Sequence, residues 1–432
     1  MDHRERKKII ALIEREVVPA IGCTEPIAVA LCAAKATEIL GKAPEKIYAL
    51  LSANILKNAM GVGIPGTGMI GLPIAIALGS RIGKSAYNLE VLKDCTPADV
   101  EESKKMICSN KICINLKENI TEKLYIEIIC EADGEEAKAI ISGEHTHFVF
   151  IAHNQEILLD RKEKASSPEK EEEDIRLAFR KVYEFATTAP LDEIRFILRS
   201  RDLNKAAAQQ SFNGNYGHKL GKILQDSPMK QKILGKNTFS RILSYTSAAC
   251  DARMAGAMIP VMSNSGSGNQ GITATLPVVI YAEDNHKSEE ELIRALTLSH
   301  LTVIYIKQSL GRLSALCGCV VASTGSSCGI TYLMGGNYEQ ITFAVKNMIG
   351  NITGMICDGA KPSCSLKVTS GTSTAILSSI LAIEHQCVTP AEGIVDDDID
   401  QSIQNLTRIG KEAMNETDRL VLNIMTHKRS CN

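Results

Sequence analysis

The chain opens on MDHRERKKIIALIEREVV, where charged and apolar positions interleave at helical spacing. That pattern predicts an amphipathic helix and not a signal peptide. A second helix is expected up to residue 40, and the break between the two reads PAIGCTEP. From residue 46 to 160 the pattern changes. KIYALLSANI, KICINLKE, KLYIEIICEA and AKAIISGEHTHFVFIAH are β-branched and partly alternating, which predicts strands. TPADVEESKKMICSN begins on a Thr cap and predicts a helix. DRKEKASSPEKEEED, residues 160–174, is charged and poor in apolar residues, as a solvated linker is. Beyond it, Ala- and Leu-rich runs broken by Gly, Ser and Asn loops predict helices to the end. No fixed repeat of the solenoid kind is found. The fold class expected is α+β: a mostly α-helical domain with a smaller mixed α/β domain inserted near the N-terminus. The boundaries expected are 1–44 for N-terminal helices packing on the helical domain, 45–162 for the α+β domain and 163–432 for the helical domain.

Composition narrows the partners. A chain of 432 residues is long enough for two domains. Its net charge of −2 gives no electrostatic case for nucleic acid or a membrane surface. Aromatic residues are 4% and Trp is absent, which leaves little surface for stacking bases or sugars. No apolar run reaches the ~18–20 residues a membrane span needs. The longest candidates, 68–79 and 372–383, are interrupted by Gly, Pro, Ser or Thr. The expectation is a cytoplasmic protein with a small-molecule substrate and neither a membrane nor a nucleic-acid partner.

Fourteen cysteines then need a reason. In a reducing compartment they are not disulfides by default. Cys32, Cys108, Cys130 and Cys250 sit in apolar stretches and read as small core residues. Cys317, Cys319, Cys328, Cys357 and Cys364 instead crowd into 48 residues. Thiolates are the preferred ligands of iron–sulfur clusters and structural zinc. The C-x-C pair of LSALCGC and the C-x6-C pair of GMICDGAKPSCSLKV match neither a ferredoxin nor a zinc finger. Spacing alone therefore leaves a metal site and buried thiols both open. The turn DGAKP favours a site, because helices end there and backbone N–H groups can reach a cluster sulfur. Three ligands without a fourth leave one coordination position open, which is the form of a Lewis acid.

Other segments could carry chemistry. Cys23, in IGCTEPIAVALCAAKA, stands at a helix start, where the dipole lowers a thiol pKa, while Glu25 opposes this. SNSGSGNQGI, residues 263–272, offers backbone N–H groups and hydroxyls to an anion, or is a flexible linker. Lys57 and Asn58 precede a Gly-rich turn, and Lys57 is a candidate for a substrate carboxylate. His145 and His147 would share a face of a strand.

Taken together, IGCTEP, SNSGSGNQGI, LSALCGC and GMICDGAKPSCSLK resemble the L-cysteine desulfidases, within the iron–sulfur-dependent L-serine dehydratase alpha-chain superfamily. The resemblance runs over nearly the whole chain in the right order. It implies a [4Fe–4S] cluster on three cysteines with one iron free for substrate, and no pyridoxal phosphate. Cys357 and Cys364 match the ligand pair. Cys317 is the preferred third ligand, its distance to Cys357 being closer to the family's, with Cys319 as the alternative. Cys23 matches the α-proton base. Ser265, Ser267, Gly268, Asn269 and Gln270, with Lys57 and Asn58, would line the substrate pocket. The activity implied is elimination of sulfide from L-cysteine, giving pyruvate and ammonia. L-serine dehydration, a non-catalytic cluster- or zinc-binding sensor, and a metal-free hydrolase using Cys23 with a His are the alternatives. In related serine dehydratases a C-terminal cysteine can occupy the open iron; Cys431 reads first as a stray tail thiol, with that role as the alternative. A homo-oligomer is a further expectation.

Overall fold

A computed structural model describes residues 1–120, 122–161, 175–311 and 314–427. Most of the expected linker at 160–174 and Cys431 lie outside the described residues. Helix α1 (His3–Glu16) starts where Asp2 accepts a hydrogen bond from the Glu5 N–H at 2.8 Å. Strand β1 (Pro19–Ile21) follows, then α2 (Thr24–Leu40), which ends on Gly41 in the left-handed region. The sheet is built from β2 (Lys46–Leu51), β3 (Ile112–Leu116), β4 (Tyr125–Ala132), β5 (Glu135–Ser142), β6 (Phe148–His153) and β7 (Glu156–Asp160). Its order is β3-β2-β4-β5-β6-β7, parallel between β2 and β3 and antiparallel elsewhere. Helices α3 (Ala53–Ala59), α4 (Leu72–Ile82) and α5 (Pro97–Cys108) fill the connection between β2 and β3. The strand expected through SANI stops at Leu51, because α3 begins immediately after Ser52.

The two N-terminal helices part company. Helix α1 buries Ile9, Leu12 and Ile13 in the core that holds Phe179, Val182 and Leu296. Helix α2 was grouped with the helical domain on sequence; its Ile27–Ala36 stretch instead packs with Ile126, Ile128 and Ile141 of the sheet. The reason is composition. From Ile27 to Ala34 helix α2 carries no charged side chain and is buried on every side, and the sheet and α4 help to cover it. A Cβ at Gly79 of α4 would lie 2.3 Å from the Ala30 carbonyl, so these helices touch backbone to backbone.

The second half is helical: α6 (Phe179–Thr188), α7 (Leu191–Ile194), α8 (Leu198–Asn213), α9 (Leu220–Asp226), α10 (Pro228–Leu234) and α11 (Thr238–Met254). Then come β8 (Pro260–Met262), α12 (Gly268–Asp284), α13 (Glu289–Leu310), α14 (Gly318–Leu333) and α15 (Tyr338–Ile352). Helices α16 (Cys364–Ile383), α17 (Ile399–Arg408) and α18 (Asn415–Thr426) complete it. Together the halves make an α+β fold. Helix α14 lies at the centre, and its Gly325 and Gly329 let α13 approach: added Cβ atoms would meet the Ser299 and Ala295 carbonyls at 2.5 and 2.9 Å. Helix α16 is long and apolar enough to cross a membrane, yet half of that stretch is buried inside the protein. Backbone pairing and side-chain packing both tie the halves together. Strand β1 pairs antiparallel with β8, and Leu422 of α18 enters the core of the sheet.

Candidate active site

The two thiol-bearing segments expected to cooperate lie side by side. Leu316 and Ile356 form an antiparallel bridge. On one flank the Cys317 N–H donates to the Met355 carbonyl at 2.9 Å; on the other the Cys357 N–H donates to Ala315 at 2.6 Å. This places Cys317, the cap of α14, beside Cys357, and the Cys317 thiol donates to the Cys357 sulfur. The chain then turns through Asp358–Ser363 into Cys364, the first residue of α16. Gly359 stands at φ +90°, and a Cβ there would lie 2.2 Å from the Lys57 carbonyl, so only glycine fits. The Asp358 carboxylate is held by Lys361 and Lys367. Burial would raise its pKa, but the two ammonium groups outweigh that and bring it to about 2.

Each of these three sulfurs faces a backbone N–H: that of Cys319 at Cys317, Gly359 at Cys357 and Lys361 at Cys364. Cys357 is pushed down to about 6, chiefly by the hydrogen bond from Cys317, with burial opposing and Lys57 and Lys367 assisting. Cys317 is correspondingly raised, so the pair shares one proton. Burial raises Cys364, partly offset by the Lys361 N–H and by Lys361 and Lys367. Among the described residues no group of three His, Cys, Asp or Glu side chains is arranged to hold a single metal ion. Three thiols with amide N–H groups at their sulfurs and lysines around them fit a polynuclear iron–sulfur centre better than a lone ion.

Cys319, one turn into α14, is occupied otherwise. Its thiol donates to the Lys367 carbonyl at 3.1 Å, and a Cβ at Gly371 would lie 2.5 Å from its sulfur. Burial pushes it up to about 12. Cys250 is fully buried, as expected of a small core residue. It shares a buried cluster with Cys23, Cys319, Met254, Val62 and Val368, against which Cys317 and Cys364 pack. Cys108 is exposed and not a core residue.

Cys23 caps α2 from the other side of this cluster. Its thiol donates to Glu25 Oε2 at 3.0 Å. The Thr24 hydroxyl donates to the same oxygen at 3.2 Å, and Asn58 Nδ2 to Oε1 at 3.1 Å. Burial pushes the thiol well above its ordinary value, the Glu25 carboxylate pushes it further, and Arg253 offsets only part. The thiolate expected from the helix dipole is therefore not what this setting favours. Burial works to raise Glu25 as well, but His145, the Cys23 hydrogen bond and Arg253 leave its carboxyl below the usual range. His145 and His147 lie in a turn and do not share a face: His145 is buried near Glu25, while His147 is exposed.

The Ser/Gly segment is a tight turn and not a linker. Asn264 and Ser267 exchange backbone hydrogen bonds at 3.0 Å around Ser265 (φ +48°) and Gly266 (φ +78°). The Ser265 hydroxyl turns to Asn264 Oδ1 at 2.8 Å, and Ser267 caps α12. Gly268, Asn269 and Gln270 form the first turn of that helix. Asn269 Oδ1 accepts from Arg253 Nη1 at 3.1 Å, and a Cβ at Gly268 would lie 2.2 Å from Arg253 Nε. Gln270 lies beside Gly318, next to Cys317. Arg253 Nε and Gln270 Oε1 are buried without hydrogen-bond partners.

Lys57, expected to meet substrate, is buried and engaged: its ammonium is paired with Asp418 and donates to the Cys357 carbonyl at 3.4 Å. Asn58 holds Glu25. Arg253 was missed on sequence, although a lone arginine in the small-residue run SAACDARMAGAM was a usable signal. Asp418 had none, since its partner is 361 residues away. A cavity of roughly 610 Å³ lined by Arg241, Ser244, Tyr245 and His286 opens at the other end of α11, away from the thiols.

The chain is 75% identical to the UPF0597 protein of Phocaeicola vulgatus over 98% of both chains. It is 73% identical to a UPF0597 protein of Bacteroides fragilis over 99% of this chain and all of that one. It is 44% identical to the UPF0597 protein of Aeromonas hydrophila over 97% of this chain and 96% of the relative. The model of the family described as serine dehydratase alpha chain matches residues 86–423, which include all three thiols of the turn. The chain belongs to the serine dehydratase alpha chain family.

Proposed function

We propose that this protein is an iron–sulfur-dependent lyase that eliminates sulfide from L-cysteine, leaving pyruvate and ammonia. The observation that carries the reading is the meeting of Cys317 and Cys364 with Cys23 at one buried cluster, with Cys357 hydrogen-bonded to Cys317. Cys317, Cys357 and Cys364 would hold a [4Fe–4S] centre. Cys317 is preferred over Cys319 because the Cys319 thiol is already committed to the Lys367 carbonyl. When bound, that centre supplies a Lewis-acidic iron, which makes a β-substituent a better leaving group.

The remaining work falls to the chain. Cys23 takes the α-proton. Arg253, a buried guanidinium with an unpartnered Nε, supplies positive charge for the substrate carboxylate, oriented by Asn269. The walls around the thiols are Val62, Met254, Val368 and Met355. Such a lining suits a sulfur substituent better than a hydroxyl, which would lose hydrogen bonds there. Anaerobic, cluster-reconstituted protein is expected to release sulfide and pyruvate from L-cysteine faster than it releases pyruvate from L-serine. Release from neither amino acid contradicts the proposal; faster release from L-serine keeps the lyase and changes the substrate.

A further inference from the structure

We propose that Glu25 is the proton acceptor of Cys23, a buried carboxylate that takes the thiol proton and so creates the base the elimination needs. This rests on the lyase reading and extends it. The geometry is direct: Sγ to Oε2 is 3.0 Å, and both residues are buried. Glu25 is fixed at both oxygens, by Thr24 on one and Asn58 on the other. Thr24 in turn donates to the Gly266 carbonyl at 3.3 Å, which ties the pair to the Ser/Gly turn. A buried carboxylate is normally costly as the anion. Here two cationic or titratable groups from other parts of the fold face it: His145 from the β5–β6 turn and Arg253 from α11. Cys23 is the third titratable neighbour, and the remaining partners are neutral.

The pairing removes a difficulty. A thiol beside a carboxylate is a poor base at rest, because the negative neighbour holds its proton in place. Among the described residues, the same carboxylate is the acceptor toward which the thiol's hydrogen bond is directed. One proton crosses from Sγ to Oε2, leaving the Cys23 thiolate. The thiolate takes the α-proton, the C–H electron pair becomes the C=C bond, and the β-substituent departs with its bonding pair. The site then carries one extra proton: the Cys23 thiol gives a proton to the departing group and takes the one held on Glu25, which restores the starting pair. Glu25 touches no reacting atom of the substrate; it acts through Cys23.

The test compares holoprotein with Glu25→Gln and Glu25→Asp. Glu25→Gln keeps the side-chain shape and removes the acceptor. Its kcat should fall by roughly 10²–10⁴-fold with KM little changed. Alkylation of Cys23 by iodoacetamide, followed on its peptide by mass spectrometry at one mildly alkaline pH, should speed up several-fold, since loss of the neighbouring charge eases thiol ionisation. A merely structural role would not drive these two readouts in opposite directions. Glu25→Asp keeps the charge and lengthens the gap, so it should retain slow alkylation and an intermediate kcat. If Glu25→Gln does not fold, Glu25→Asp decides. Full kcat in either variant, or unchanged alkylation in Glu25→Gln, overturns the proposal. Wild-type protein inert toward every β-substituted amino acid contradicts the lyase reading alone, and the alkylation ratio then decides the Cys23–Glu25 pairing by itself.

Discussion

Cys357, half-buried, and Cys23, buried, are thiols of one site, yet their neighbours drive them apart. Cys357 receives a hydrogen bond from Cys317, feels Lys57 and Lys367, and is pushed down to about 6. Cys23 gives its hydrogen bond to Glu25 and is pushed well up. Burial works against ionisation in both and is the largest cause of the rise at Cys23. The direction of the hydrogen bond and the sign of the nearest charge widen the gap. The helix dipole at Cys23, worth typically ~0.3–1 kcal/mol, is too small to reverse this. On the proposed reading, one side of the site presents a thiolate to a metal, and the other holds a proton until a partner takes it.

The comparison breaks hardest at the ligands. Cys357→Ala or Cys364→Ala should reduce both iron content and turnover to background, measured on anaerobically reconstituted protein. Cys23→Ala should keep the iron and lose roughly 10²–10⁴-fold in kcat, because only proton abstraction is removed. Next in size is the support behind Cys357. Asp418→Asn leaves the Lys57 ammonium buried without its carboxylate and should cost about 3–5 kcal/mol in urea denaturation.

A pH experiment sharpens the contrast. In metal-free protein Cys357 should titrate near about 6 when followed by alkylation, and Cys317→Ala should move that midpoint up. The folded pKa lies below the unfolded one. The stabilisation it gives is therefore complete above the ordinary thiol range and lost as pH falls through about 6. The smallest effect belongs to Cys319→Ala, which should leave iron content unchanged, because its thiol faces the Lys367 carbonyl.

Much of the fold was legible from local signals. The strands of the sheet announced themselves through β-branched alternation, and α5 through the Thr96 cap. What failed was what depends on distant partners. Helix α2 has the same Ala- and Leu-rich composition as the helical half, and only the sheet it covers tells them apart. Lys57 reads as a substrate residue on sequence because its partner Asp418 is remote in the chain. The dipole at Cys23 is a local signal, whereas the burial that raises its thiol depends on the whole fold. The thiol turn was readable as turn chemistry, but its pairing with Cys317 needed the Leu316–Ile356 bridge.

The central claim is that Cys317, Cys357 and Cys364 hold an iron–sulfur centre facing Cys23. Iron and acid-labile sulfide per chain, determined side by side with pyruvate release for the wild type, Cys357→Ala and Cys23→Ala, tests it most directly. The account predicts about four irons and turnover in the wild type, the same iron without turnover in Cys23→Ala, and neither in Cys357→Ala. Iron retained by Cys357→Ala, or full turnover by Cys23→Ala, would contradict it.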